Sequence, residues 1–176
     1  MPALPSVFLG AGSAAVGVAK QLISFFVRAG VSEEEARRRF WLVDTKGLVT
    51  DDRGDRLAEH KKFFSRDDNA GRQLKTLQEV VDFVEPTALI GLSTTRGAFD
   101  ETVVRKMASL NERPIVFPLS NPLSKCELTF EDALEWTDGK VIFASGSPFS
   151  PEEYAGRKHY AGQGNNMCVP RLQFRT

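Results

Sequence analysis

The sequence predicts an α/β fold with a doubly wound, mainly parallel sheet of about five strands and helices on both faces. Short apolar runs alternate with stretches of helical periodicity along most of the 176 residues. Such alternation is typical of parallel strands joined by crossover helices. A glycine-containing turn also follows the first apolar run, where a strand would pass into a helix. The predicted strands are residues 7–9, 40–43, 88–92, 115–119 and 141–144.

Capping residues mark the predicted helix starts. Thr76 and Glu79 have the spacing of a capping box, in which each satisfies a backbone N–H of the first turn. Ser32, Asp100 and Thr129 precede further helical segments and predict N-caps there. The apolar residues that follow recur every three or four positions, which indicates one buried face per helix.

The composition excludes several classes of function. The 23 basic and 23 acidic residues cancel, which disfavours binding to nucleic acid or to an acidic membrane surface. With 41% hydrophobic residues, the chain can bury the core of one ordinary domain. Its apolar stretches are too short to span a membrane, and no signal peptide is evident. Cys126 and Cys168 lack metal-site spacing and are expected to be reduced thiols.

The turn at residues 10–15, Gly-Ala-Gly-Ser-Ala-Ala, matches the phosphate-binding pattern of dinucleotide folds. Gly10 would permit a tight turn, and Gly12 would let the backbone approach a pyrophosphate. Ala15, aided by Gly17, would allow the helix to pack closely on the sheet. The helix N-terminus would then offer N–H groups to the phosphates. Taken alone, the motif leaves an ordinary glycine-rich turn as the alternative.

The second predicted strand is followed by Asp44, where dinucleotide folds hold a carboxylate that bonds the adenosine ribose. Asp44 could instead be a turn residue. A carboxylate there would repel a ribose 2′-phosphate, whereas Lys46, Lys61 and Lys62 could neutralise one. The alternative for residues 60–62, His-Lys-Lys, is a charged face in contact with solvent. The sequence therefore leaves the choice between NAD and NADP open.

Ligands of open parallel sheets bind outside the carboxyl ends of the strands, so the loops there carry candidate site residues. These loops are residues 93–95, 120–122 and 145–148, and all are small or polar. Asn121 offers an amide donor and acceptor suited to a nicotinamide amide or a hydroxy acid, although an Asn-Pro turn is the alternative.

Two amides, Asn165 and Asn166, form a further polar pair after Gly164. His159 precedes them without a partner at catalytic or metal spacing and is expected to lie at the surface. The sequence contains no nucleophile elbow, no Walker lysine loop and no cluster of metal ligands.

Several segments together resemble the malic enzymes: FLGAGSAAVGVA, WLVDTKGL, PTALIGLSTTRGAF, MASLNERPIVFPLSNP, VIFASGSPF and AGQGNNM. The resemblance covers about residues 7–167. It implies a Rossmann-like NAD(P)-binding domain at residues 1–167, followed by a divergent tail at residues 168–176.

The resemblance implies oxidative decarboxylation of L-malate to pyruvate and CO2, with NAD or NADP as cofactor and with Mg²⁺ or Mn²⁺. Asn121, Asn165 and Asn166 match the family's amides near the substrate and the nicotinamide. The positions implied to bind the cofactor are Gly10, Ala11, Gly12, Ser13, Ala14, Ala15, Asp44, Thr45, Thr94, Thr95 and Asn121.

The family's catalytic tyrosine and lysine, its malate-binding arginine and its metal-binding carboxylates have no match here, because family members place them before the first strand. We therefore expect a domain that binds a dinucleotide but is catalytically incomplete, with no catalytic or metal-binding residue of its own. The alternatives are a non-catalytic interaction module and a truncated gene-model product. Assembly as a homo-oligomer is compatible with the family, and the expected compartment is the cytoplasm, with the mitochondrial matrix as the alternative.

Overall fold

The computed structural model describes residues 4–53 and 57–164. The strands in chain order are β1 (Ser6–Leu9), β2 (Phe40–Asp44), β3 (Gly47–Leu48), β4 (Ala88–Gly91), β5 (Ile115–Pro118), β6 (Ile142–Ser145), β7 (Glu152–Tyr154), β8 (Arg157–His159) and β9 (Gly162–Gln163). The helices are α1 (Ser13–Arg28), α2 (Glu33–Arg37), α3 (Glu59–Lys62), α4 (Leu77–Val84), α5 (Glu101–Leu110) and α6 (Phe130–Trp136), with a 3₁₀ turn at Leu123–Lys125.

The main sheet has the strand order β3-β2-β1-β4-β5-β6-β9. Every neighbouring pair is parallel except β2 and β3. The chain runs outward from β1 first towards β2 and later towards β4, so the strand order reverses at β1. The predicted doubly wound, mainly parallel sheet is confirmed, and ligands of such sheets bind at this reversal.

The structure adds strands that the sequence pattern did not reveal. β3 and β9 extend the two edges of the sheet with two residues each, too few to show periodicity. β7 and β8 pair as a separate antiparallel hairpin whose sequences, Glu-Glu-Tyr and Arg-Lys-His, lack an apolar alternation. The predicted central strands are all present, with ends displaced by at most one or two residues.

Side chains on alternate strand positions point to opposite faces of the sheet, and each face is covered by its own helices. Val7 and Leu89 belong to the core cluster beneath α4, α5 and α6. Phe8 and Ile90, their sequence neighbours, belong to the cluster beneath α1 and α2. The sheet is thus covered on both sides, as predicted, and its carboxyl edge is left for the loops.

The predicted helix caps are present. Ser32, Asp100 and Thr129 each accept a hydrogen bond from the backbone N–H three residues later, and Thr76 with Glu79 forms a complete capping box. Among described helices of five or more residues, only α1 starts without a side-chain cap. Within residues 4–53 and 57–164, no helix combines the length and apolar character needed to cross a bilayer.

Candidate dinucleotide site

A cavity of about 420 Å³ lies where the strand order reverses, at the carboxyl ends of β1, β2 and β4. These parallel strands end side by side, which brings three separate loops around one space. The cavity is lined by Leu9, Gly10, Ala11, Gly12, Val43, Asp44, Thr45, Lys61, Leu92, Ser93, Thr94, Thr95 and Ala98.

The glycines after β1 differ in what surrounds them. Gly10 has φ +123°, and a Cβ added there would lie 2.5 Å from the carbonyl oxygen of Leu92. A side chain at this position is excluded by both its backbone conformation and the next strand's loop. At Gly12, a Cβ would meet nothing within 4 Å. The space beside Gly12 is therefore open, as a ligand that approaches the backbone requires.

The start of α1 faces this open space. Gly12 is the N-cap and supplies no side-chain hydrogen bond. The N–H groups of a helix's first turn have no acceptor within the helix, and they carry a partial positive charge. Ser13 and Ala14 are exposed here, whereas Ala15 is fully buried against the sheet. The terminus can thus receive an anion, and Ala15 contributes by packing.

The predicted packing role of Gly17 is wrong. Gly17 is exposed, and a Cβ there would meet nothing within 4 Å. The helix turns this position to solvent, because its buried positions are Ala15, Val16, Ala19 and Ile23.

Asp44 ends β2 and is surrounded by cationic groups. Arg53 donates from Nη1 to Oδ1 at 2.8 Å and from Nη2 to Oδ2 at 3.1 Å. Lys61 donates from Nζ to Oδ2 at 2.6 Å, and the backbone N–H of Lys46 donates to Oδ1 at 2.9 Å. Only 9% of the Asp44 side chain is exposed. Asp44 is therefore more than a turn residue, since it anchors both cations beside the cavity.

The environment keeps Asp44 ionised. Burial by itself raises the pKa of its carboxyl, but the hydrogen bonds from Arg53 and Lys61 outweigh burial, and the pKa lies below its ordinary value. A negative charge at the cavity is thus balanced by two positive charges within hydrogen-bonding distance.

Sequence reasoning missed Arg53, because a lone arginine nine positions after a strand gives no signal of its fold-back. Lys61, predicted as a phosphate neutraliser, does line the cavity. Lys62 is exposed and pairs with Glu59 at 2.7 Å. Thr45 is exposed at the cavity wall, next to Asp44.

The loop after β4 forms the opposite wall. Thr94 and Thr95 are exposed and line the cavity, as does Ser93. Thr94 has φ +59°, and its N–H donates to Ser120 Oγ at 2.9 Å. The loop is tied further by Glu127, a fully buried side chain that sequence reasoning did not single out. A glutamate before a helix normally reads as a surface residue, so no sequence signal pointed to it.

Asn121 follows β5 and is half-buried, but it does not line the cavity. It accepts a hydrogen bond from Ser147 Oγ through Oδ1. A Cβ at Gly146 would lie 2.8 Å from its amide atoms. The loops after β5 and β6 therefore meet at Asn121, one strand beyond the cavity.

The predicted pair Asn165 and Asn166 lies outside the described residues, as do Cys168 and the tail at residues 168–176. The last described residue, Gly164, donates its N–H to the carbonyl of Ser145 at 2.9 Å. β9 therefore brings the chain to the carboxyl end of β6, on the same edge of the sheet as Asn121.

The histidine and cysteine candidates, His159 and Cys126, lie outside the cavity lining. His159 is half-buried in β8, where its ring packs edge-on against Tyr154. Cys126 is a buried free thiol, and burial raises its pKa. In residues 4–53 and 57–164 there is no group of three or more histidine, cysteine or acidic side chains that could hold a metal ion.

Comparison with known proteins identifies the family. The model of the malic enzyme NAD binding domain matches residues 4–173, nearly the whole chain. The chain belongs to this family. A domain of this family takes a nicotinamide dinucleotide, in agreement with the doubly wound sheet and the cavity at its strand reversal.

Individual malic enzymes match over the same region. The chain is 56% identical over 163 residues to the NADP-dependent malic enzyme of Dictyostelium discoideum, covering 93% of this chain and 30% of that protein. It is 43% identical over 171 residues to NAD-dependent malic enzyme 3 of Bacillus subtilis, with 93% and 30% covered. It is also 44% identical over 171 residues to the malolactic enzyme of Leuconostoc mesenteroides, with 96% and 32% covered. The chain thus spans about 30% of the length of the curated relatives it matches.

Proposed function

We propose that this chain binds NAD or NADP in the cavity at the strand reversal, as the dinucleotide-binding part of an enzyme that oxidatively decarboxylates L-malate to pyruvate and CO2. The observation that carries the proposal is the start of α1. Its N-cap, Gly12, has open space where a side chain would be, and it leaves the first turn without a side-chain cap. A helix start of this kind is a ready site for a pyrophosphate.

The residues divide the work of binding. Around the pyrophosphate we assign Gly10, Ala11, Gly12, Ser13 and Ala14, with Ala15 holding the helix against the sheet. The adenosine ribose is assigned to Asp44 and Thr45. The other half of the dinucleotide is assigned to Thr94, Thr95 and Asn121, and the substrate to Asn121, Asn165 and Asn166.

The bound dinucleotide supplies the hydride acceptor of the reaction. The described residues contribute binding and orientation. They do not fit Mg²⁺ or Mn²⁺, since no cluster of suitable ligands is found among them, and we assign no catalytic or metal-binding residue. We accordingly expect the 176-residue chain not to turn over L-malate with NADP⁺ and Mn²⁺. Formation of pyruvate by the purified chain would contradict this assignment.

The charges around Asp44 favour NADP as a ligand. A free carboxylate would repel a 2′-phosphate, but Asp44 is already paired with Arg53 and Lys61. Lys61 is 22% exposed and lines the cavity, so its ammonium group can bond a phosphate placed there. Because charge-assisted hydrogen bonds to phosphate are strong, we propose that NADP is bound at least as tightly as NAD.

This preference can be tested with Lys61→Met. We expect the dissociation constant for NADPH to rise about tenfold, while that for NADH changes by less than about twofold. Isothermal titration calorimetry measures both. The control is Lys140→Met, an exposed lysine at the opposite end of β6. Equal weakening of the two nucleotides by Lys61→Met would contradict the assignment of Lys61 to the 2′-phosphate.

Binding itself is tested with a pair of glycine variants. In Gly12→Ala, the new methyl group enters open space, so the fold should stay intact while the pyrophosphate is displaced. We expect at least about tenfold weaker binding of NADPH and NADH, equivalent to about 1.4 kcal/mol. Gly17→Ala makes the same chemical change on the exposed side of α1 and should leave both affinities unchanged. Failure of the unaltered chain to bind either nucleotide would overturn the proposal.

The wider setting of the protein also remains a proposal. From the family we propose L-malate or pyruvate as the small-molecule partner and assembly as a homo-oligomer. The proposed compartment is the cytoplasm, with the mitochondrial matrix as the alternative. Co-purification with an intact malic enzyme would instead favour a non-catalytic interaction module.

A further inference from the structure

Glu127 is an ionisable side chain buried without a cation. It lies between the 3₁₀ turn and α6, and it is 0% exposed. None of the ion pairs in the described part of the chain includes it. A buried carboxylate is costly unless hydrogen bonds replace its water. The donors that stabilise the Glu127 carboxylate therefore identify the segments that this side chain holds in place.

Those bonds come from two loops at the carboxyl edge of the sheet. Oε1 accepts from the backbone N–H and the hydroxyl of Ser93, each at 2.9 Å, and from the hydroxyl of Ser120 at 2.5 Å. Oε2 accepts from the backbone N–H of Ser120 at 3.3 Å. The Ser120 hydroxyl in turn accepts from the N–H of Thr94 at 2.9 Å. One carboxylate thus ties the loop after β4 to the loop after β5.

The end of β4 is shaped around this side chain. A Cβ added to Gly91 would lie 2.6 Å from the Glu127 carboxyl carbon. Gly91 pairs in register with Leu9 on β1 and with Pro118 on β5. The Glu127 carboxylate therefore lies against the end of a central strand of the sheet. The absence of a side chain at Gly91 is what lets Glu127 reach both serines.

Both loops belong to the half of the sheet opposite Asp44. A doubly wound dinucleotide fold consists of two mononucleotide-binding halves, on either side of the strand reversal. With the adenosine ribose at Asp44, the nicotinamide half extends over β4 and β5. The loop that Glu127 holds after β4 carries Thr94 and Thr95, and the loop after β5 carries Asn121.

We propose that Glu127 is a positioning residue for the nicotinamide half of the dinucleotide, an inference that rests on the proposed function. Each of its oxygens faces a backbone N–H, a group that can only donate. A carboxylate satisfies both, whereas an amide in the same place must turn its NH₂ towards one of them. Replacing the oxygen by nitrogen therefore disturbs the two loops without changing the size of the side chain.

The test compares a whole dinucleotide with its adenosine half on the full chain. Glu127→Gln is titrated by calorimetry with NADPH and with adenosine 2′,5′-bisphosphate, and in parallel with NADH and ADP. Glu131→Gln, an exposed glutamate on α6, is the matched control for the charge change. In Glu127→Gln we expect about tenfold weaker dinucleotide binding and less than about a twofold change for the adenosine half. Glu131→Gln should change neither.

Loss of overall structure would weaken both kinds of ligand equally, so equal weakening overturns the inference. Unchanged binding of the dinucleotides overturns it as well. Should Glu127→Gln fail to fold, Ser120→Ala removes only one hydroxyl of the network and should weaken dinucleotide binding selectively in the same way. If Ser120→Ala weakens dinucleotides and adenosine nucleotides equally, or weakens neither, the inference is overturned. If the unaltered chain binds none of the four nucleotides, the proposed function fails and the inference fails with it.

Discussion

Asp44 and Glu127, two carboxylates near the carboxyl edge of the sheet, are stabilised in different ways. Asp44, on the side of the cavity that we assign to the adenosine, is paired with Arg53 and Lys61 and opens onto the cavity. Glu127, on the other side, is fully buried and is held by serine hydroxyls and backbone N–H groups. The first arrangement is a balance of charges, and the second is a network of neutral donors.

The two arrangements suit the two halves of the candidate site to different tasks. A charge balance beside a cavity responds to the charge of a ligand, because an added phosphate competes with the carboxylate for the same cations. A buried carboxylate held by neutral donors responds to geometry, since each hydrogen bond depends on the distance and direction of its donor. We therefore expect the loop around Asp44 to discriminate between nucleotides by charge, and Glu127 to hold two loops in position.

The largest expected effect is the loss of stability in Glu127→Ala. The substitution leaves the buried Ser120 donors and the partly buried Ser93 donors without their acceptor, and it opens a cavity. We expect the free energy of unfolding to fall by about 3 kcal/mol. In Asp44→Ala the loss should be smaller, about 2 kcal/mol, because Lys61 is partly exposed and can turn to solvent, and Arg53 keeps the carbonyl oxygen of Leu48 as an acceptor. Urea denaturation monitored by circular dichroism measures both. A larger loss in Asp44→Ala would contradict the contrast between the two carboxylates.

The sequence predicted the framework of the fold and one side of the site. The apolar runs around Val7 and Leu89 identified parallel strands, since strands buried on both faces are apolar throughout. The pattern singled out Gly10, Gly12 and Asp44 because each stands at a fixed place relative to a strand end, and the structure places all three at the cavity. The local pattern was sufficient to find these residues, because the strand ends beside them can be located in the sequence.

Residues whose roles depend on distant partners could not be predicted. Arg53 reaches Asp44 only because the chain folds back after β3, and Glu127 reaches Ser93 across 34 positions of sequence. For Gly17 a role was predicted that the structure does not show. Its place near the motif suggested packing against the sheet, but it lies on the exposed face of α1. Side-chain networks of this kind follow from tertiary geometry, which periodicity does not encode.

A smaller effect, and a sharper test of the Glu127 network, is a double-mutant cycle with Gly91. In the unaltered chain, Gly91→Ala should cost about 1–3 kcal/mol, because the methyl group overlaps the Glu127 carboxyl. In the Glu127→Ala background the same change meets no carboxyl and should be nearly neutral. We expect a coupling energy of at least about 1 kcal/mol from urea denaturation. Additive effects would show that Gly91 is not shaped by Glu127.

The smallest expected effect is the pH dependence of the stability that Asp44 contributes through its ion pairs with Arg53 and Lys61. The folded-state pKa of Asp44 lies below its ordinary value of 3.8. Its ionised form therefore contributes stability that is fully present above the unfolded-state pKa and is lost as pH falls through the folded-state pKa. Asp44→Asn lacks this contribution at every pH.

We accordingly expect the unaltered chain to be more stable than Asp44→Asn near neutral pH, and the gap to close as the pH falls below the ordinary carboxyl range. Denaturant unfolding from about pH 7 to about pH 2.5 measures the gap. Glu131→Gln, which also removes one negative charge, controls for the change in net charge. A gap that stays constant across this range would mean that Asp44 acts through packing, and the charge balance around Asp44 would then lose its main support.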